Sequence, residues 1–124
     1  MDRYLVVMLG AALGGLSRYV LGTAIMDRYG GNFPLGTVAI NVSGSFLIGV
    51  VMTLLTERWQ VHPNWRLFLV AGVLGGYTTF SSFEFETLQA VRGGGQLIAL
   101  LNVVGSVTLG YVAVWLGALI AARA

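Results

Sequence analysis

Four apolar stretches, each long enough to cross a lipid bilayer, take up almost the whole of this 124-residue chain. They lie near residues 4–26, 35–56, 67–90 and 96–121, and one crossing requires about 20 mostly apolar residues. The apolar fraction of 56% and the mean hydropathy of +0.82 exceed those of soluble domains. Because backbone polar groups must find partners within the protein in hydrocarbon, such spans form helices. The sequence predicts an all-α membrane protein with a single four-span domain over residues 1–124.

The third stretch is interrupted by glycines and polar residues in the middle of its apolar run. Residues 72–86 read Gly-Val-Leu-Gly-Gly-Tyr-Thr-Thr-Phe-Ser-Ser-Phe-Glu-Phe-Glu. A backbone loosened at Gly75 and Gly76 exposes polar groups, which persist at membrane depth only if they are buried in protein or line a cavity. Carbonyl oxygens freed between Gly75 and Thr78 are hard ligands suited to an alkali cation. We expect a broken third helix beside a permeation path or an ion site, with a simple kink at the glycines as the alternative.

A polar stripe runs along the second stretch, because Thr37, Asn41 and Ser45 recur every four residues. Asn41 is the most informative of the three, since an unsatisfied carboxamide in apolar surroundings costs several kcal/mol. The stripe favours contact with an ion, whereas a hydrogen bond between helices is the plain alternative. Asn102 and Ser106 are likewise four residues apart in the fourth stretch. Both stripes need polar neighbours inside the bundle.

Phe80 and Phe83 are three residues apart and so share a helix face, with Thr79 and Ser82 beside them. The edge of an aromatic ring is electropositive and can face an anion without binding it tightly. Weak donors suit conduction better than arginine alone, which would bind an anion too strongly to release it. The phenylalanines and hydroxyls therefore favour a path for an anion, with core packing as the alternative for the aromatic pair.

Charged residues lie mostly at the ends of the predicted spans. Four arginines fall on one side of the membrane and two on the other: Arg3, Arg58, Arg66 and Arg123 against Arg28 and Arg92. Arginine bias sets orientation, and because this bias is weak we expect insertion in both orientations and pairing with an inverted copy. Arg18 lies inside the first span, where we expect a structural role or an anion-attracting vestibule. Glu86 is expected in a wet vestibule or as the partner of an arginine.

Several classes of function are excluded by the composition. The sequence contains no cysteine and a single histidine, His62, so neither a disulfide framework nor a thiolate metal site is available. It has no glycine-rich phosphate loop ending in Gly-Lys-Ser/Thr and no serine with histidine and carboxylate in reach. The loops are too short for a soluble catalytic domain. We predict that the chain is not an enzyme and binds neither nucleotide nor nucleic acid.

Three segments of the chain carry a specific pattern and read Gly10-Ala-Ala-Leu-Gly-Gly-Leu-Ser-Arg-Tyr19, Gly36-Thr-Val-Ala-Ile-Asn-Val-Ser-Gly-Ser-Phe46 and Gly75-Gly-Tyr-Thr-Thr-Phe-Ser-Ser-Phe83. In this order, they resemble the CrcB/Fluc family of fluoride channels. The resemblance implies a fluoride-selective channel of a prokaryotic cytoplasmic (inner) membrane, which exports fluoride passively and so lowers cytoplasmic fluoride. It also implies an antiparallel, dual-topology homodimer with two pores and a structural sodium ion at the dimer interface.

The resemblance also assigns roles to residues by position. It places the following side chains along the pores: Asn41, Thr79, Phe80, Ser82, Phe83, Asn102 and Ser106. Ser82 replaces the threonine common between the two phenylalanines and keeps the hydroxyl. Asn102 and Gly110 occupy positions of a polar track at which relatives carry other side chains, and Gly110 offers no donor. The backbone carbonyl groups of Gly75 and Thr78 match the positions that hold the sodium ion.

Two other functions are compatible with a small four-span chain. A proton-coupled drug exporter can be of similar length and dual topology, but its chemistry requires a carboxylate within the membrane. The first span carries none between Asp2 and Asp27, and the glutamates of the third come late. A subunit without transport function would need only the helix-packing glycines, and it would leave Asn41 and the hydroxyl series unexplained.

Overall fold

The computed structural model describes residues 2–124, which form a bundle of α-helices joined by short turns. The α-helices are α1 (Arg3–Tyr29), α2 (Leu35–Thr53), α3 (Pro63–Arg66), α4 (Gly75–Tyr77), α5 (Ser81–Arg92) and α6 (Gln96–Arg123). Two π-helical stretches accompany them: Leu54–Arg58 continues α2, and Leu67–Leu74 joins α3 to α4. The predicted all-α class is therefore confirmed.

Three of the helical stretches are long and apolar enough to cross a membrane, namely Arg3–Tyr29, Leu35–Arg58 and Gln96–Arg123. They correspond to the first, second and fourth predicted spans. The third predicted span, residues 67–90, falls across several shorter helices between Pro63 and Arg92. Large apolar side chains lie exposed along α1 and α6, as expected of helices that face lipid rather than water.

Helix boundaries follow local capping chemistry. Asp2 begins α1, because its Oδ1 accepts a hydrogen bond of 2.9 Å from the N–H of Tyr4. The third segment begins at Pro63, four residues before the predicted Leu67, because proline suits the first helical position. His62 caps it by accepting a 3.0 Å bond at Nδ1 from the N–H of Asn64. Because of these two residues, the helical structure of the third segment begins in the polar loop, before the apolar stretch itself.

The interruption of the third segment lies beyond its glycines. Gly75 and Gly76 are helical, so the predicted loosening of the backbone at these two residues is wrong. Helical structure ends after Tyr77, Thr78 is extended with φ −85° and ψ 159°, and α5 begins at Ser81. Gly76 instead permits close packing, because a Cβ there would lie 2.7 Å from the carbonyl oxygen of Ala11 in α1.

Two helix pairs form the bundle: α1 packs along Leu67–Tyr77, and α2 packs along α6. Small residues bring the first pair together, since Gly10 and Gly14 of α1 abut the backbone of residues 68–77. A Cβ at Gly15, the next residue of α1, would face open space within the protomer. Gly117 brings α6 against α2, because a Cβ there would clash with the carbonyl oxygen of Phe46.

Different loops and chain ends meet at the two ends of the bundle. At one end, Arg58 donates to the carbonyl oxygen of Ala122, and Arg66 donates to Thr56 Oγ1 over 3.4 Å. At the other end, the turn after α1 and the turn before α6 line one cavity. Two of the four arginines predicted to share one side, Arg58 and Arg66, therefore lie at the same end of the bundle.

Gly10→Ala should lower the free energy of unfolding by about 1–3 kcal/mol, the usual cost of overpacking. A Cβ at this position would lie 2.5 Å from the carbonyl oxygen of Phe68 and 2.9 Å from the Cα of Gly72, which are backbone atoms that cannot rotate away. Gly15→Ala, in the same helix but with open space around its Cβ, is the matched control. The measurement is thermal unfolding of the detergent-solubilised protein, and equal unfolding temperatures for the two variants would refute the packing role of Gly10.

Candidate functional site

An open groove of about 390 Å³ lies beside Thr78–Phe80, where α2, α5 and α6 meet. Its polar lining comes from Asn41, Ser45, Thr78, Thr79 and Ser106, and its aromatic lining from Phe80 and Phe83. Gly75 lines it as well. We refer to this space as the central groove. It brings together residues from three separate segments of the sequence, including most of those predicted to line an ion path.

Asn41 forms two hydrogen bonds with the backbone of one residue in the interruption. Its Nδ2 donates to the carbonyl oxygen of Thr79, and its Oδ1 accepts from the N–H of Thr79, each over 2.8 Å. The carboxamide thus replaces two backbone partners that a continuous helix would have supplied. One of the two Nδ2 hydrogens is used in this contact, so the other is available to a group in the central groove.

The bonds around Thr79 release two carbonyl groups from helical pairing. In a continuous helix, the N–H groups of Thr79 and Ser82 would bond to the carbonyl oxygens of Gly75 and Thr78. Here the N–H of Thr79 bonds to Asn41, and the N–H of Ser82 donates to Thr79 Oγ1 over 3.3 Å. The two carbonyl groups predicted to hold a cation are therefore those whose usual partners are bonded elsewhere.

The carbonyl oxygens of Gly75 and Thr78 are candidate ligands for a metal ion beside the central groove. Within residues 2–124, no group of three or more histidine, cysteine, aspartate or glutamate side chains could hold a metal ion. Neutral carbonyl and hydroxyl oxygens are hard ligands and suit a hard cation of low charge rather than zinc or copper. The chemistry of Gly75 and Thr78 therefore fits an alkali cation.

Arg18 supports the interruption from α1. Its Nε donates to the carbonyl oxygen of Gly76 over 3.1 Å, satisfying a third carbonyl group near the end of α4. The side chain is half-buried and faces the bundle, where a charged group avoids lipid. One guanidinium N–H makes this bond, so Arg18 can fill a structural role while the rest of its fork stays available to an anion.

The two phenylalanines differ in exposure although they share one face. Phe83 is 6% exposed and packs in the core, whereas Phe80 is 73% exposed at the edge of the central groove. Their ring centroids are 5.8 Å apart and the rings are tilted by 55°, within the range of favourable edge contacts. In the protomer, Phe80 therefore lacks the surroundings that core packing would give it.

A second cavity, of about 330 Å³, adjoins the first on the other side of Thr79. Its polar lining includes Arg18, Asp27, Thr37, Thr79, Ser82 and Glu86, and we call it the polar vestibule. Thr37 Oγ1 donates to Glu86 Oε1 over 2.6 Å, so the partner of this glutamate is a hydroxyl rather than an arginine. Because Thr79 lines both cavities, it separates the vestibule from the central groove.

On α6, Asn102 lies behind the groove surface rather than on it. It is 1% exposed and is the only buried polar side chain among residues 2–124. Its Nδ2 donates to Thr87 Oγ1 over 2.9 Å, and its Oδ1 accepts from Ser106 Oγ over 3.3 Å. Ser106 itself lines the groove. Of the two residues on this stripe, Ser106 therefore lines the groove, whereas Asn102 is buried behind it and is hydrogen-bonded to Ser106.

One contribution escaped the sequence analysis, and one residue of the predicted stripe on α2 has a further contact with α6. Thr87 links α5 to α6 through Asn102, and its position four residues after Phe83 was the available signal. Ser45 lies opposite Gly110, where a Cβ would come within 3.5 Å of its Oγ. A hydroxyl from α2 therefore occupies the neighbourhood where α6 provides no side chain.

Comparison with known proteins identifies the family. A family model described as "CrcB-like protein, Camphor Resistance (CrcB)" matches residues 5–118. A protein of Solibacter usitatus named "Fluoride-specific ion channel FluC" is 65% identical over 121 residues, covering 98% of this chain and 99% of the relative. Proteins of the same name in Acidobacterium capsulatum and Thermus thermophilus are 49% and 48% identical, covering 98% and 94% of this chain and 97% and 93% of their own lengths.

The matches extend through every helix that forms the central groove. The relatives are named ion channels, not enzymes, in agreement with the sequence prediction. Together with the three apolar helices, they identify a multi-pass membrane protein. The chain therefore belongs to the CrcB-like family, which its three sequence segments resemble.

Proposed function

We propose that the protein is a fluoride-selective ion channel that exports fluoride passively across a prokaryotic cytoplasmic membrane. The observation that carries the proposal is the central groove, where Asn41, Thr79 and Ser106 meet the exposed ring of Phe80. Relatives that match nearly the whole chain are named fluoride-specific ion channels, which supports the choice of anion.

The hydrogen-bond donors around Thr79 suit a small, strongly hydrated anion. Fluoride leaves water only where closely spaced donors replace its hydration shell. Asn41 has a second Nδ2 hydrogen, and Thr79 uses its Oγ1 as an acceptor from Ser82, so its hydroxyl hydrogen remains available. Larger halides cannot approach several such donors at once, so size and donor spacing together select fluoride.

Phe80 and Phe83 contribute weak electrostatic attraction without strong binding. Their ring edges carry partial positive charge, and an anion that passes along them is stabilised less than by a guanidinium. A conducting site must bind weakly enough to release the ion. We assign the phenylalanines to the path, the donors Asn41, Thr79 and Ser82 to the replacement of water along it, and Ser106 to the lining of the same path.

The path runs from the polar vestibule past Thr79 into the central groove. Arg18 lines the vestibule and attracts anions to its mouth. Thr37 donates a hydrogen bond to the Glu86 carboxylate and so fixes its position, which keeps this negative charge from moving toward a passing anion. Hydrogen fluoride enters cells as a neutral acid and ionises in the more alkaline cytoplasm, and the membrane potential then drives the anion outward through an open path.

A second, inverted copy of the chain would complete the path. The segment Pro63–Arg92 would form a third membrane crossing, broken at Thr78–Phe80, in addition to the three long helices. Gly75 and Phe80 are exposed in the protomer, so the central groove lies partly open on a face that a partner can cover. The weak arginine bias allows both orientations, and two copies would provide two grooves and hence two pores.

A sodium ion would link the two copies through their carbonyl oxygens. Gly75 and Thr78 would hold it, since both carbonyl groups are released from helical pairing by the bonds around Thr79. When bound, the ion would supply positive charge beside these neutral carbonyl oxygens. The oxygen donors of this segment fit sodium better than a divalent transition metal.

Purified protein in liposomes loaded with potassium fluoride should release fluoride rapidly once valinomycin is added. The ionophore supplies the compensating potassium current, and an electrode outside the vesicles measures fluoride. Chloride-loaded vesicles provide the selectivity control and should release far less anion. An absence of fluoride release from verified, folded protein would overturn the proposed function, and equal release of both halides would overturn its selectivity.

Asn41→Asp should reduce fluoride release about tenfold or more, the equivalent of ~1.4 kcal/mol. Aspartate has no N–H to donate to the Thr79 carbonyl oxygen, and its negative charge repels the anion. Gln96→Glu makes the same amide-to-acid change at an exposed position at the start of α6 and should leave the rate unchanged. Gel filtration confirms that each variant is folded, and full conduction by Asn41→Asp would restrict Asn41 to a structural role.

Sodium should raise the unfolding temperature of the detergent-solubilised dimer in proportion to the logarithm of its concentration once the site is near saturation. N-methylglucamine chloride at equal ionic strength is the control, because that cation is too large for carbonyl ligation. Gel filtration in both salts measures the fraction of dimer. Identical unfolding curves in the two salts would remove sodium from the proposal, and a monomer in both would remove the dimer.

A further inference from the structure

Asn102 belongs to a chain of hydrogen bonds with a fixed direction. Ser106 Oγ donates to Asn102 Oδ1 over 3.3 Å, Asn102 Nδ2 donates to Thr87 Oγ1 over 2.9 Å, and Thr87 Oγ1 donates to the carbonyl oxygen of Phe83 over 2.8 Å. Each hydroxyl carries a single hydrogen. Because Thr87 spends its hydrogen on Phe83, it can only accept from Asn102, and this fixes which side of the carboxamide faces Ser106.

This direction leaves Ser106 as an acceptor toward the central groove. Its only hydroxyl hydrogen points to Asn102, so the oxygen presents lone pairs to the space that an anion would occupy. Lone pairs repel an anion, whereas a hydroxyl hydrogen would attract it. The most buried polar group of the described chain therefore holds a groove residue in the state less suited to binding an anion.

We propose that Asn102 is a positioning residue whose carboxamide orientation decides whether Ser106 presents a hydrogen-bond donor or only lone pairs to an anion in the central groove. The inference rests on the proposed function, since it concerns an anion at that place. Turning the carboxamide by half a turn directs Nδ2 toward Ser106 and frees the serine hydrogen for the groove. Oδ1 then faces Thr87, whose hydroxyl rotates from Phe83 to donate to it.

Reversal of the Asn102 carboxamide changes the free energy little when no anion is present and lowers it when an anion is bound. Reversal costs the bond from the Thr87 hydroxyl to Phe83, whose carbonyl group also lies within the helix α5 and keeps its backbone partner there. It gains a bond from Ser106 to the anion, and hydrogen bonds to charged groups are roughly twice as strong as neutral ones. The anion thus selects the donor state of Ser106.

Asn102→Leu should therefore lower the half-saturating fluoride concentration about fivefold, the effect of one net hydrogen bond. Leucine offers no acceptor to Ser106, so the serine hydrogen is free for the anion. Thr87→Val, which keeps side-chain shape, should act in the same direction, because Asn102 then finds a partner for its Nδ2 only in Ser106. This second variant tests the inference even if Asn102→Leu does not fold.

Each substitution is measured in two backgrounds, with Ser106 and with Ser106→Ala. The readouts are the fluoride-dependent rise in unfolding temperature in detergent and the initial release rate from liposomes at low fluoride. We expect the effect of Asn102→Leu to vanish in the Ser106→Ala background. Thr108→Val, at an exposed position of the same helix, is the control and should change neither readout.

The outcomes separate this inference from the proposed function. Weaker fluoride binding by Asn102→Leu, or an equal effect in both Ser106 backgrounds, would overturn the positioning role while the wild-type channel stands. In another outcome, the wild-type protein binds fluoride with the expected dependence on Ser106 and fails to conduct it. That result would overturn the proposed channel function and support the positioning role of Asn102. Wild-type protein that neither binds nor conducts fluoride would overturn both.

Discussion

The rest of the site depends on one exchange of hydrogen bonds, in which Asn41 bonds to the backbone of Thr79. Inside a membrane, a chain can leave the helix only if other groups pair with its N–H and carbonyl groups. Asn41 pairs with both backbone groups of a single residue, so a short interruption can persist between α4 and α5. From this exchange follow the freed carbonyl groups of Gly75 and Thr78, the position of Phe80 at the groove and the role of Arg18 beside Gly76.

Much of the fold could be predicted because the physics that sets it is local in sequence. Apolar stretches of membrane length identified the three long helices. Boundaries were less predictable. The third segment begins at Pro63 because His62 and proline cap it, and this capping outweighs the polarity of the loop.

The sequence predicted which residues lie at the site, but it did not predict the hydrogen bonds between them. Spacing and family resemblance assembled Asn41, Phe80 and Ser106, and the structure brings them to one groove. Spacing cannot tell which of two residues on a helix stripe faces a cavity and which faces a neighbouring helix. Asn102 and Ser106 share a stripe, yet α5 brings Thr87 against Asn102 and buries it. That outcome depends on the approach of two helices, which no local pattern encodes.

Strong and weak polar contacts are divided between different parts of this small bundle. Groups that must stay fixed use paired bonds, as Asn41 does with Thr79, or charge-assisted ones, as Thr37 does with Glu86. The groups that the proposed function offers to a passing ion keep a spare hydrogen, as Asn41 and Thr79 do, or a ring edge, as Phe80 does. In the proposed channel, a permeating anion would therefore meet rigid geometry and weak binding at the same place, since the bonds that hold the backbone use different hydrogens from those available to the anion. The proposed path would therefore be formed by the helices of the four apolar stretches alone, without a separate domain.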